Sequence, residues 1–183
     1  GSATLVPMRG AAGLDASDFV TVSQLRTADT GLTPKPAVEV VVPDGTVLGA
    51  WTATGGGTFD GTEAATLTLD GVTWAARATP RVLIRWVDVT VTGGGVYTVG
   101  ANAYQNGIYV LNTTSGVYTR AEDSDEQGEV NFNNYVFCTA GTNAGDSYVV
   151  SNLSSTATSP LTLNTDAVTW VKFSDVTVYT ASN

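Results

Sequence analysis

From Pro34 onward, apolar and polar residues alternate in short runs, and each run stops at a cluster of turn residues. "AVEVVV" (37–42), "ATLTL" (65–69), "VTWAA" (72–76), "GIYVLN" (107–112), "NYVFCTA" (134–140) and "AVTWVKF" (167–173) all read as strands. "RVLIRWVDVTV" (81–91) reads as one long strand. Pro43-Asp44-Gly45, Asp70-Gly71, Asn106-Gly107 and two triple-Gly stretches punctuate the series. "LTLDGVTW" (67–74) and "LNTDAVTW" (163–170) read as two similar hairpins. Many short strands at regular spacing predict an all-β domain, an antiparallel β-sandwich or barrel.

The first 33 residues differ. In "LDASDFVTVSQLRTA" (14–28), Asp15 suits an N-cap, and Phe19, Val22 and Leu25 recur every third residue. The spacing predicts a short N-terminal helical segment of about three turns, a length marginal in isolation. Its apolar stripe therefore needs a partner, and Phe19, Val22 and Leu25 are the candidate oligomerisation residues. Pro34 and Pro36 break the helix. The division expected is 1–33 as an attachment and oligomerisation segment and 34–183 as the β-domain.

Composition narrows the function. The net charge is −9, which disfavours nucleic-acid phosphates and anionic membranes as partners. No apolar run reaches the roughly 20 residues that span a bilayer as a helix, so membrane insertion is not expected. The chain has no His and one Cys. A Ser-His-Asp or Cys-His centre cannot be assembled from it, and zinc and iron lose their usual ligands. No cofactor and no enzymatic activity are expected. Cys138 alternates with Phe137 and reads as a buried strand thiol.

Two features remain as candidate chemistry. Five acidic residues lie between Glu122 and Glu129. A calcium loop is one reading of 122–129, but position twelve, counted from Asp123, is Asn134, which cannot supply a bidentate carboxylate. A solvated turn is the other reading. A glycosidase pair needs carboxylates about 5–9 Å apart across a cleft, and neighbours in one turn do not face each other that way. The second feature is aromatic. Trp74, Trp86 and Trp170 read as core, whereas Trp51 and Tyr104 border turn signals and are the candidate ligand-binding aromatics.

"LDGVTWAARATPRVLIRW" (69–86), "QNGIYVL" (105–111), "GVYTRAEDSD" (116–125), "YVFCTAGTNAGDSYVVSN" (135–152) and "AVTWVKFSD" (167–175) occur in one order. That ordered set resembles the β-domain of tailed-phage fibre and appendage proteins. The N-terminal "PMRGAAGLDASDFVTVSQL" is similar to the segment that precedes such domains. The resemblance implies a non-enzymatic virion structural protein at the virion surface, a homotrimer that contacts other virion proteins. It also implies that the acidic turn is a regular part of the domain. Arg120 lies beside Glu122 and Asp123 in sequence, and a local pair with one of them is expected. "VDVTVTGGGVYTVGANAY" (87–104) is longer than the family's connection and suggests an extra hairpin. Two alternatives stay open: a receptor-recognition module for a host cell-surface glycan, and a polysaccharide depolymerase.

Overall fold

The computed structural model describes residues 32–52, 57–61, 66–92, 96–151 and 160–174. The helical segment expected around Phe19, Val22 and Leu25 lies outside the described residues. So does "VTVYT" (176–180), whose alternation also reads as a strand.

The regular elements of the described chain are almost all strands, as expected. A four-stranded sheet runs in the order β1 (Thr33–Pro34), β12 (Asn134–Phe137), β13 (Ser147–Ser151), β14 (Thr169–Ser174). A six-stranded sheet runs β2 (Val40–Val41), β7 (Arg81–Ile84), β10 (Gly107–Asn112), β11 (Val117–Arg120), β4 (Thr58–Asp60), β3 (Trp51–Thr52). Two hairpins stand apart: β5 (Thr66–Leu69) with β6 (Val72–Ala75), and β8 (Val89–Thr92) with β9 (Val96–Val99). The second hairpin occupies the long 87–104 segment. Pairing is antiparallel except that β1 joins β12, and β2 joins β7, in parallel. Among the described residues no helix is long and apolar enough to cross a membrane.

The six-stranded sheet is apolar on both faces, which explains the unbroken apolar runs in β7 and β10. Leu83 and Ile108 point to one side and meet Val136, Tyr148, Val150 and Trp170 of the four-stranded sheet. Val82, Ile84, Tyr109, Leu111 and Tyr118 point to the other and are covered by Leu67, Leu69, Val72 and Trp74 of the β5–β6 hairpin. The order is hairpin, six-stranded sheet, four-stranded sheet. Each fully buried Val, Leu or Ile here stabilises the fold by about 1.5–3 kcal/mol. On the outer face of the four-stranded sheet Phe137 (49% exposed) and Phe173 (46%) stand out, each edge-on to Tyr135. Cys138 is buried, as its alternation with Phe137 requires, and burial pushes its thiol pKa up.

Two sequence expectations are corrected. "RVLIRWVDVTV" is not one strand. Asn106, fully buried, accepts the Val87 N–H at 2.8 Å and donates to the Val87 carbonyl at 3.0 Å, taking Val87 out of any ladder. Asp88 then turns the chain at φ +51°. "LNTDAVTW" is not a hairpin either. Asp166 accepts the Thr162 N–H at 2.7 Å and closes a turn, and only Thr169–Trp170 enter β14.

Candidate functional site

Trp51 and Tyr104, far apart in sequence, lie side by side with ring centroids 6.0 Å apart. Neither stands free on a loop. Trp51 is half-buried on the edge strand β3, and its indole packs on Phe59 (4.8 Å) and Tyr109 (6.3 Å). Gly57, at φ +76°, is required there, because a Cβ would enter the indole ring. The indole N–H is buried without an acceptor among the described residues.

At the centre of this cluster is Arg120, 3% exposed. Its guanidinium lies 5.2 Å from the Tyr109 ring and 5.6 Å from the Trp51 ring. It donates to the backbone carbonyls of Tyr104 (2.8 Å) and Asn106 (3.4 Å). The local pairing with Glu122 or Asp123 expected from sequence is therefore wrong. Arg120 is the last residue of β11 and, two residues after buried Tyr118, shares its inward face, which leads to a site rich in ring faces and carbonyls. Burial lowers its pKa and raises that of Tyr109, whose hydroxyl donates to the Gln105 carbonyl at 2.6 Å. These are the bonds of a packed scaffold.

The acidic turn is tied internally. One Arg81 guanidinium nitrogen donates to both carboxylate oxygens of Asp123, at 2.7 and 2.8 Å. Lys35 donates to the Asp123 carbonyl. Glu129 accepts the N–H groups of Asp125 (2.9 Å) and Glu126 (2.8 Å). Elsewhere Asp70 accepts from Thr142, Asp88 from Asn102, and Glu39 from the Arg81 N–H. Among the described residues no three His, Cys, Asp or Glu side chains are grouped as a metal site.

The arrangement with most unspent binding capacity lies elsewhere, where the inter-sheet core ends. Arg85 follows Leu83 on the face turned toward the four-stranded sheet. It is 7% exposed, and its guanidinium lies 4.1 Å from the Trp86 ring centroid and 4.8 Å from that of Tyr148. Among the described residues it makes no hydrogen bond or ion pair, and its Nε is buried without a partner. Arg85, Trp86 and Tyr148 line a cleft of about 300 Å³, together with Asp70, Asn143 and Lys172. A second cleft of about 150 Å³ shares Arg85 and Trp86 and extends along Asp44 to Thr46.

The polar groups around the cleft are ordered. The Tyr148 hydroxyl donates to Asn143 Oδ1 at 2.8 Å, and burial pushes its pKa up to about 12. Asp70 holds the Thr142 N–H (2.8 Å) and hydroxyl (2.5 Å), and Lys172 pairs with Asp146 at 3.0 Å. Sequence reading placed Trp86 in the core and passed over Arg85. The signal present was a cation at an inward-facing position straight after an apolar strand. The partners that make it a site come from β2, the β5–β6 turn, the β12–β13 loop and β14, which only the fold unites.

Compared with protein-family models, curated proteins and solved structures, the chain matches none.

Proposed function

We propose that this chain is a non-enzymatic structural subunit of a virion appendage of the tailed-phage kind, a tail fibre, head fibre or spike, that presents a host-contact surface. The observation that carries this reading is where the resembling segments fall. They supply the Asp70-Gly71 turn with β6 and β7, then β10, β11, the β12–β13 pair and β14, which together hold most of both cores. What the chain shares with appendage domains is thus its scaffold. Glu39, Asp70, Asp88, Asp123 and Glu129 are bonded to backbone N–H groups, hydroxyls or cations, as in a structural domain, and the depolymerase reading draws no support from them.

Assembly as a homotrimer follows from the same resemblance. The exposed Phe137 and Phe173 on the outer sheet face, and Leu32 at 49% exposure beside edge strand β1, are the type of surface that symmetric association covers. Native mass spectrometry tests this. The full chain is expected at three times its 18.9 kDa mass, and a chain lacking residues 1–31 is expected to lose that association. A full-length monomer at micromolar concentration contradicts the reading.

A second reading, recognition of a host cell-surface glycan, is favoured by one observation, the aromatic-flanked cleft at Arg85.

A further inference from the structure

We propose that the Arg85 cleft binds an acidic saccharide, holding a carboxylate-bearing sugar ring through the Arg85 guanidinium and the rings beside it. The inference gives the ligand class for the host-contact reading above, yet the binding itself requires no particle.

The argument begins with the cost of the cation. Arg85 is 7% exposed, its buried Nε has no acceptor, and no group among the described residues bonds its guanidinium; burial that removes hydration and returns no hydrogen bond is unfavourable. Arg120 and Arg81 show how this chain otherwise treats such groups: one is given backbone carbonyls, the other a carboxylate. Arg85 receives only ring faces, from Trp86 and Tyr148. Rings offer the cation a π surface but no oxygen acceptor, so the Nη N–H groups are left for a ligand. Edge N–H groups fixed in one plane match a carboxylate, and charge-assisted bonds of this kind are roughly twice as strong as neutral ones.

The surroundings favour a sugar over a bare anion. The cleft of about 300 Å³ is at the small end of ligand sites, suited to a single ring. Trp86 is half-buried, so part of its ring is open to the C–H face of a pyranose. Asn143 and Asp70 offer hydroxyl partners. Asp70 is also the one carboxylate lining this cleft among the described residues, so a bound carboxylate seats at Arg85 and leaves the sugar's hydroxyl edge toward Asp70. Lys172 also lines the cleft, its charge paired with Asp146.

The test uses the ¹⁵N-labelled full chain and three probes at up to tens of millimolar: D-glucuronate, methyl β-D-glucoside and acetate. Arg Nε–H and Trp indole signals are followed, with the Arg85 signal assigned by its loss in Arg85→Lys. Glucuronate is expected to shift the Arg85 and Trp86 signals, with intermolecular NOEs from its ring protons to Trp86 or Tyr148. The glucoside and acetate are expected to bind at least about tenfold more weakly. Arg85→Lys keeps the charge but loses the fork, and is expected to weaken glucuronate binding by about tenfold. Equal binding of the glucoside overturns the carboxylate contact, and equal binding of acetate overturns the saccharide. No shift with any probe, or NOEs only to other sites, overturns the proposal. The NOEs locate the ligand in the unsubstituted chain even if Arg85→Lys fails to fold. A negative result here leaves the particle-subunit reading to its own test.

Discussion

Asn106→Ala isolates the contact that shapes the cleft end of the molecule. The Asn106 side chain is fully buried and reaches three segments at once: Val87 (N–H accepted at 2.8 Å, carbonyl at 3.0 Å), Ala103 (3.1 Å) and Val168 (3.1 Å). Truncation does not orphan them equally. The Ala103 carbonyl keeps the N–H groups of Asn106 and Val168. The Val87 N–H and the carbonyls of Val87 and Val168 lose the side-chain partner described for them. Each buried polar group left unpaired costs about 1–3 kcal/mol, and water reaching the half-buried Val87 recovers part of that, so a loss of about 2–5 kcal/mol is expected. For a domain of this size that corresponds to roughly 10 °C in Tm. Urea denaturation with thermal melts measures it, with Thr90→Ala on exposed β8 as a control expected within about 0.5 kcal/mol. Asn106→Asp sharpens the test. It keeps the shape but points an anion at carbonyls, so it should be at least as damaging at neutral pH and partly recover in acid. A loss below about 1 kcal/mol for Asn106→Ala, or no pH dependence for Asn106→Asp, refutes the reasoning.

Three further outcomes follow from the packing and electrostatics. A Cβ on Gly107 would collide with Nη1 of buried Arg120, so Gly107→Ala should destabilise by about 1–3 kcal/mol by chemical denaturation. Burial, and then the nearby charges of Glu129 and Glu122, raise the Asp125 pKa. A raised carboxyl pKa means that its contribution to stability is full below the unfolded value near ~4 and is lost as pH rises through the folded value. Asp125→Asn should therefore raise Tm at pH 7 and leave it unchanged at pH 3, as differential scanning calorimetry can show. Cys138, buried and with its pKa raised, should react with a thiol reagent only as fast as the chain unfolds, so protection should vanish in denaturant.

The local half of this fold was legible in the sequence. Asp70-Gly71 marked the β5–β6 turn because a type I′ two-residue loop demands positive φ at both central positions, and both adopt it. The alternation of Tyr135 and Phe137 with Val136 and Cys138 told the outer face of β12 from the inner. The long-range half was hidden. Nothing local says that β1 and β2 join their sheets in parallel, or that Asn106 will cut the strand after Arg85. Trp51 and Tyr104 were singled out for lying next to turns. They meet instead around Arg120, whose inward direction depends on β11 lying between β10 and β4. Arg85 is not legible as a site in the sequence, because an arginine after an apolar run ordinarily ends the strand in water. Only the packing of this end of β7 on Tyr148 turns it into a buried cation with no hydrogen-bond partner among the described residues.

Immunogold electron microscopy of gradient-purified particles from the source of this chain, with antibody raised against the β-domain, tests the appendage reading most directly. Label is expected at fibres or spikes, removed by competition with the free chain. Label confined to the soluble fraction of the lysate, with none on intact particles, contradicts the account.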